Sequence, residues 1–122
     1  MKKNPRPKTI FCDIDGTLVK QNGNLSKQLK TPMELLPGTI DRLTDWDRKG
    51  YNIILTTGRR ECMRKMTEEQ LAALGIFYDL LIMGLGGGER VLINDKKPNS
   101  DDETAFAFSL KRNLGLEFLK NI

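Results

Sequence analysis

"IFCDIDGTLV", residues 10 to 19, decides the reading of this chain. An apolar run ends in two aspartates spaced two apart, Asp13 and Asp15, and Gly16-Thr17 follows at once. Acidic residues are poor strand formers, so either they only terminate the strand or they are held at its end for chemistry. Residues i and i+2 of an extended chain point to the same side. Both carboxylates are therefore expected to face one pocket.

Outward from this stretch, apolar strands alternate with helices. A first strand is expected over residues 8 to 13, then a polar loop with turn residues Gly16, Asn22, Gly23 and Asn24. Residues 25 to 35 are ambiguous. Ile40, Leu43 and Trp46 share one helical face after Pro37, and Gly50 stops that helix. "YNIILTT" (51 to 57) reads as a second strand, broken by Gly58. A helical region follows, with capping-box spacing from Thr67 to Gln70 and a stop at Gly75. "YDLLIMG" (78 to 84) and "GERVLIND" (88 to 95) read as strands three and four, and "SDDE" (100 to 103) as the start of a helix reaching about Asn113. This order implies parallel strands with helical crossovers, a three-layer α/β/α, Rossmann-like domain with a mostly parallel central sheet. Residues 1 to 122 are read as one domain, with 1 to 7 a flexible lead-in.

Composition narrows the chemistry. With 39% apolar and 30% charged residues, the chain is expected to be globular and soluble. No apolar run approaches a membrane span, and the basic N-terminus lacks the apolar core of a secretory signal. Cys12 and Cys62 are too few for a disulfide scaffold, which fits reduced thiols in the cytoplasm. The chain has no histidine, which removes Ser-His-Asp and Cys-His catalysis and most zinc sites. Acid or base work then falls to Asp, Glu, Lys, Tyr or Cys. The net charge of +4 attracts anions such as phosphate esters mildly. The basic residues are scattered, so no strong nucleic-acid signal arises.

In an open α/β sheet, ligands bind outside the carboxyl ends of the strands. Those ends are expected to carry Asp13 and Asp15, Thr57-Gly58-Arg59, the glycine-rich 84 to 88, and Asn94-Asp95-Lys96-Lys97. Carboxylates crowded into one pocket repel each other unless a cation joins them, and oxygen ligands of this kind suit Mg2+. With the metal bound, a carboxylate can attack phosphorus. "GLGGG" lacks the ending of a P-loop and the spacing of a dinucleotide fingerprint, and is read as a tight connector.

Together, "DIDGTL", "ILTTGR" and "VLINDKKP" resemble the first, second and fourth motifs of the haloacid dehalogenase (HAD) superfamily, over about residues 8 to 113. The resemblance implies that Asp13 is a nucleophile forming an aspartyl-phosphate. Asp15 would protonate the leaving oxygen, then activate water, and would bind Mg2+ through its main-chain carbonyl. Thr57 would bind the phosphoryl group and Asp95 would complete a metal site with Asp13 and Asp15. The family's third motif, a Lys or Arg, has no counterpart in "MGLGGG"; Lys96, Lys97 or Arg59 would have to supply the charge. Asn94-Asp95 also offers one acid where many relatives have two.

The gaps after the first and second motifs fit only a short flap (18 to 36) and a helical crossover (58 to 78), which resembles a minimal, capless member. The expectation is a Mg2+-dependent phosphomonoester hydrolase acting on a small phosphorylated metabolite such as a sugar phosphate. A homo-oligomeric neighbour would be able to cover the open site. The alternatives are a catalytically weak or inactive binding protein of the same fold and, from the shared ingredients of acids, Thr and Lys, a receiver-type phosphoacceptor domain.

Overall fold

The structure, a computed structural model, describes residues 6–122. Most of the expected lead-in therefore lies outside the described residues. Three strands form an open parallel sheet in the order β1-β2-β3: β1 (Thr9–Asp13), β2 (Asn52–Thr56) and β3 (Leu80–Ile82). In register, Asp13 stands beside Thr56, and Thr56 beside Ile82, so the C-terminal ends of all three strands meet at one edge.

Helix α1 (Leu25–Lys30) forms within the stretch whose sequence was ambiguous. Asn24 caps it by accepting from the Lys27 amide at 3.0 Å, and none of its residues is buried. Helix α2 (Thr39–Arg48) buries Thr39, Arg42, Leu43 and Trp46, the stripe expected of a helix lying on a sheet. A 3-10 turn (Glu61–Met63) runs into helix α3 (Arg64–Ala73), which buries Thr67 and Leu71. Thr67 does not cap this helix as its spacing to Gln70 suggests. It lies one turn inside, fully buried, and its hydroxyl serves another residue.

The core joins the sheet to the flap. Ile14, Leu18 and Val19 from the turn after β1 are buried with Ile53 and Leu55 of β2, Leu43 and Trp46 of α2, and Leu71 of α3. Burying one such aliphatic side chain stabilises by about 1.5–3 kcal/mol. The flap is tied down by short bridges, Asp15 with Val19 and Val19 with Leu35.

Two expected elements are absent among the described residues. Residues 88 to 95 form no strand: Val91 and Ile93 stand 82% and 88% exposed. Residues 100 to 113 form no helix. The physical reasons are plain. A strand is stabilised by its neighbours more than by its own propensity, and the glycine run ahead of this one is costly to order. In the second stretch Phe106 and Phe108 alternate, so no apolar stripe exists for a helix to bury; both stay exposed. Capping residues alone do not make a helix.

The C-terminal stretch is nonetheless anchored. Leu116 is buried, and its amide donates to the Pro37 carbonyl at 2.8 Å. No helix among the described residues is long and apolar enough to cross a membrane.

Candidate active site

Asp13 closes β1, and the chain then turns sharply. The Thr17, Leu18 and Val19 amides all donate to the Ile14 carbonyl, at 3.2, 2.9 and 3.2 Å. Gly16 makes the turn possible at φ 91°, a region L-residues rarely adopt. The turn folds back on Asp13, so that the Thr17 hydroxyl donates to Asp13 Oδ2 at 3.5 Å. Partial burial raises the Asp13 carboxyl pKa above its ordinary value. A hydrogen bond from the Ile14 backbone opposes that rise, the neighbouring Asp15 charge adds to it, and the Arg90 charge and the Thr17 hydroxyl lower it.

Asp15 is engaged differently. Its two carboxylate oxygens accept from Arg59, Nε to Oδ2 at 2.8 Å and Nη2 to Oδ1 at 2.9 Å. Both side chains are nearly inaccessible, 1% for Arg59 and 8% for Asp15. The remaining Arg59 nitrogen, Nη1, donates to Thr67 Oγ1 at 3.2 Å and Gln70 Oε1 at 2.8 Å, both on α3. Gln70 in turn reaches the Gln28 carbonyl on α1. Arg59 is thus a buried tie between the first-motif turn and α3.

Thr57 is buried, and its hydroxyl oxygen accepts from the Arg59 amide at 3.0 Å. Gly58 is needed for close approach: a Cβ there would lie 2.9 Å from the Gly86 carbonyl oxygen. The glycine-rich loop is strapped onto this turn by Gly84 N–H to Arg59 O (2.7 Å) and Leu85 N–H to Thr57 O (3.1 Å). The connector reading of this loop agrees with these contacts. The loop also brings in Arg90, whose Nη2 and Nη1 donate to the Gly86 and Gly88 carbonyls at 3.2 and 2.6 Å. Its charge reaches Asp13.

Of the residues expected at the site, Asp13, Asp15, Thr57, Gly58 and Arg59 are brought together. Asp95 is not. Among the described residues no three His, Cys, Asp or Glu side chains gather in a way that could hold a metal. Asp95 lies in the exposed stretch that forms no strand, and its carbonyl accepts from Thr104 at 2.8 Å. Lys96 pairs with Glu103 at 3.5 Å, and Lys97 lies in the same exposed stretch. Arg59 is wholly engaged by Asp15 and α3. The cation whose charge acts on Asp13 is Arg90, which sequence reasoning passed over because it stands two residues beyond the glycine run. Its being the first cation after strand three was the available signal. A cleft of about 550 Å3 lies toward the flap, lined by Lys20, Met33, Glu34, Leu35 and Leu74 among others, and holds none of these site residues.

Mg2+ usually takes one or two carboxylates and keeps several waters. Among the described residues no three-carboxylate cage exists, and Asp13, which lies outside the Arg59 pair, is the carboxylate that would meet that lesser demand.

The family model for the LNS2 domain of PITM 1-3 matches residues 10–96. No curated protein sequence matches the chain significantly. Among solved structures, a chain in a structure of the Pnkp1/Rnl/Hen1 RNA repair complex is 38% identical, with TM-score 0.55, over 63% of this chain and 25% of that one. A chain in another Pnkp1/Rnl/Hen1 complex structure is 34% identical, with TM-score 0.57, over 70% of this chain and 30% of that one. The present chain thus spans about a quarter to a third of those chains. A D,D-heptose 1.7-bisphosphate phosphatase from B. bronchiseptica, complexed with magnesium and phosphate, is 19% identical with TM-score 0.48, over 66% of this chain and 51% of that one. That likeness is too distant to bear on chemistry here. The parallel sheet with flanking helices, the family match and the two chains from the Pnkp1/Rnl/Hen1 complexes together make the fold Rossmann-like and HAD-like.

Proposed function

We propose that this chain, which belongs to the LNS2-domain family, is a Mg2+-dependent, capless phosphomonoester hydrolase that works through Asp13. One observation carries the reading. Asp13 ends β1 with its carboxylate under a turn hydroxyl and within the field of Arg90, at the edge where the three strand ends meet.

In this reading an Asp13 oxygen attacks phosphorus, the bond to the ester oxygen breaks, and Asp15, which must take up a proton before this step, gives it to that oxygen. Water then attacks the aspartyl-phosphate, giving its proton to Asp15 and releasing inorganic phosphate with the Asp13 carboxylate restored. Arg59 acts through Asp15. Its fork occupies one lone-pair direction on each oxygen and so fixes where the others point. Thr57 donates its hydroxyl proton to a phosphoryl oxygen, since the oxygen already accepts from the Arg59 amide. Arg90 takes the place of the third-motif cation and offsets the charge that gathers on phosphoryl oxygens, a contribution commonly worth about 2.7–4 kcal/mol for one donor. Asp13 and the Asp15 carbonyl would hold Mg2+, which would supply further charge neutralisation for a bound phosphoryl group.

The substrate is a small phosphorylated metabolite such as a sugar phosphate, handled in the cytoplasm. The likeness to chains from an RNA repair complex supports a terminal phosphate on RNA as the competing substrate. A second reading, a phosphate-binding relative without turnover, is favoured by the double engagement of Asp15 by Arg59.

Hydrolysis of an aryl phosphate with Mg2+ by the wild type and Asp13→Asn separates them. Turnover in the wild type, lost at least a thousandfold in the variant, supports the enzyme. Equal rates overturn it.

A further inference from the structure

The C-terminal stretch "LKRNLGLEF", residues 110 to 118, forms neither helix nor strand, yet it is fixed at several points. Asn113 adopts φ 65°, a conformation that Asn tolerates better than most residues. Its amide donates to the Gly16 carbonyl at 2.8 Å, and its side-chain Oδ1 accepts from the Gln21 amide at 2.8 Å. Two residues on, Gly115 at φ 89° lets the chain press against Pro37: a Cβ there would lie 2.5 Å from the Pro37 carbonyl oxygen. Buried Leu116 completes the anchor. The stretch is locked to the turn after Asp15 and to the start of α2.

These anchors place Arg112. Its Cγ and Nε lie 3.4 and 4.0 Å from where a Cβ on Gly16 would stand, so its side chain lies along that turn. Gly16 follows Asp15 and precedes Thr17, the residue whose hydroxyl reaches Asp13. Arg112 is exposed, and it makes no hydrogen bond or ion pair with any described residue. On a flexible tail an unpaired arginine is merely solvated. Here the residues on its C-terminal side are held by three hydrogen bonds and a close glycine contact, so the stem of Arg112 lies beside the nucleophile's turn. A guanidinium fork fits a phosphate bidentately, and with the backbone already fixed only the side chain's own rotamers remain to be ordered when one binds.

We infer that Arg112 binds a second phosphate of the substrate, distinct from the one transferred to Asp13. The substrate class is then a phosphomonoester bearing a further phosphate, whether on a small bisphosphate or as the neighbouring phosphodiester of an RNA end. This rests on the hydrolase reading above.

The test compares kcat and KM for an aryl phosphate, a sugar bisphosphate and a short RNA carrying a terminal phosphate, in the wild type, Arg112→Ala and Arg112→Lys. The wild type is expected to favour one of the two doubly charged substrates over the aryl phosphate by tenfold or more in kcat/KM. Which one it favours identifies the source. Arg112→Ala should reduce that preference about tenfold through KM, and Arg112→Lys should restore part of it. A preference that is absent, or unchanged in Arg112→Ala, overturns the inference. If no variant turns over any substrate, the hydrolase reading has failed instead. Calorimetric titration of the Asp13→Asn protein with the same two ligands then reads Arg112 alone. Binding weakened about tenfold by adding Arg112→Ala supports the assignment; no binding, or unchanged binding, overturns it.

Discussion

Arg59 holds both oxygens of Asp15, with Nε on Oδ2 and Nη2 on Oδ1, and the pair is almost completely shielded from solvent. A charge pair this deep is weak evidence for stability taken as a unit, because desolvation offsets attraction. Breaking it is a different matter, since the surviving partner is left buried and unpaired. Arg59→Ala is expected to cost about 3–5 kcal/mol in urea unfolding. Arg59→Lys keeps the charge but loses the fork and the links to Thr67 and Gln70, and should recover less than half of that loss.

Asp13 presents the opposite case. Its carboxyl pKa is raised in the folded protein, first by burial and then by Asp15. Below the unfolded-state pKa the group is neutral in both states and costs nothing. As pH rises through the folded pKa it ionises at a cost to the fold. Asp13→Asn should therefore melt higher than the wild type at neutral pH, and the gap should close toward acid as Asp13 protonates. Melting curves across that acidic window check it; a variant that melts lower at neutral pH and equally in acid contradicts the raised pKa. Loss of turnover together with a gain in stability is the pattern expected of a residue kept for chemistry.

The two aspartates, the Thr57-Gly58-Arg59 turn, β1 to β3, α2 and the helical region that holds α3 were legible because each has a local signal: an apolar run, a glycine stop, a helical stripe. What was not legible depends on approach in space. Nothing in the spacing of Arg59 and Asp15, 44 positions apart, announces a pair. Arg90 and Arg112 owe their places to glycine-tight contacts, Gly58 on Gly86 and Gly115 on Pro37, which a linear pattern does not encode. The expected fourth strand and last helix rested on propensity and caps, and neither has a partner here to bury its apolar side chains. With that strand absent, Asp95 makes no three-carboxylate group with Asp13 and Asp15.

The glycine loop offers a direct test of Arg90. In Gly58→Ala the new Cβ would stand 2.9 Å from the Gly86 carbonyl oxygen, and backbone on both sides leaves little room to yield. Gly86 is also where Arg90 Nη2 is held, so the displacement moves the guanidinium. Gly58→Ala and Arg90→Ala are each expected to lower kcat on an aryl phosphate by one to two orders of magnitude. If both act through the same cation, the double variant should lose little more than the worse single one, since residues acting as one unit are not additive. Full additivity would mean that the loop and Arg90 act separately.

Gly38 tests whether the C-terminal stretch is fixed as firmly as its contacts imply. It stands at the N-cap of α2 with φ 85°, and a Cβ there would come within 2.5 Å of the Glu117 Cα and 2.8 Å of the Leu116 carbonyl carbon. Two costs combine in Gly38→Ala. The left-handed backbone disfavours any L-side chain by about 1–2 kcal/mol, and the clash with backbone adds about 1–3 kcal/mol of overpacking. Relief requires the 115 to 117 stretch to lift, which withdraws buried Leu116 and slackens the Asn113 contact with Gly16. Amide hydrogen exchange should therefore show faster exchange at Leu116 and Asn113 than in the wild type, along with a lower melting temperature. Gly50→Ala, at φ 76° with open space around its Cβ, carries only the backbone cost. It should destabilise less and leave exchange at Leu116 and Asn113 unchanged. Equal effects of the two substitutions would show that the close approach at Gly38 contributes nothing.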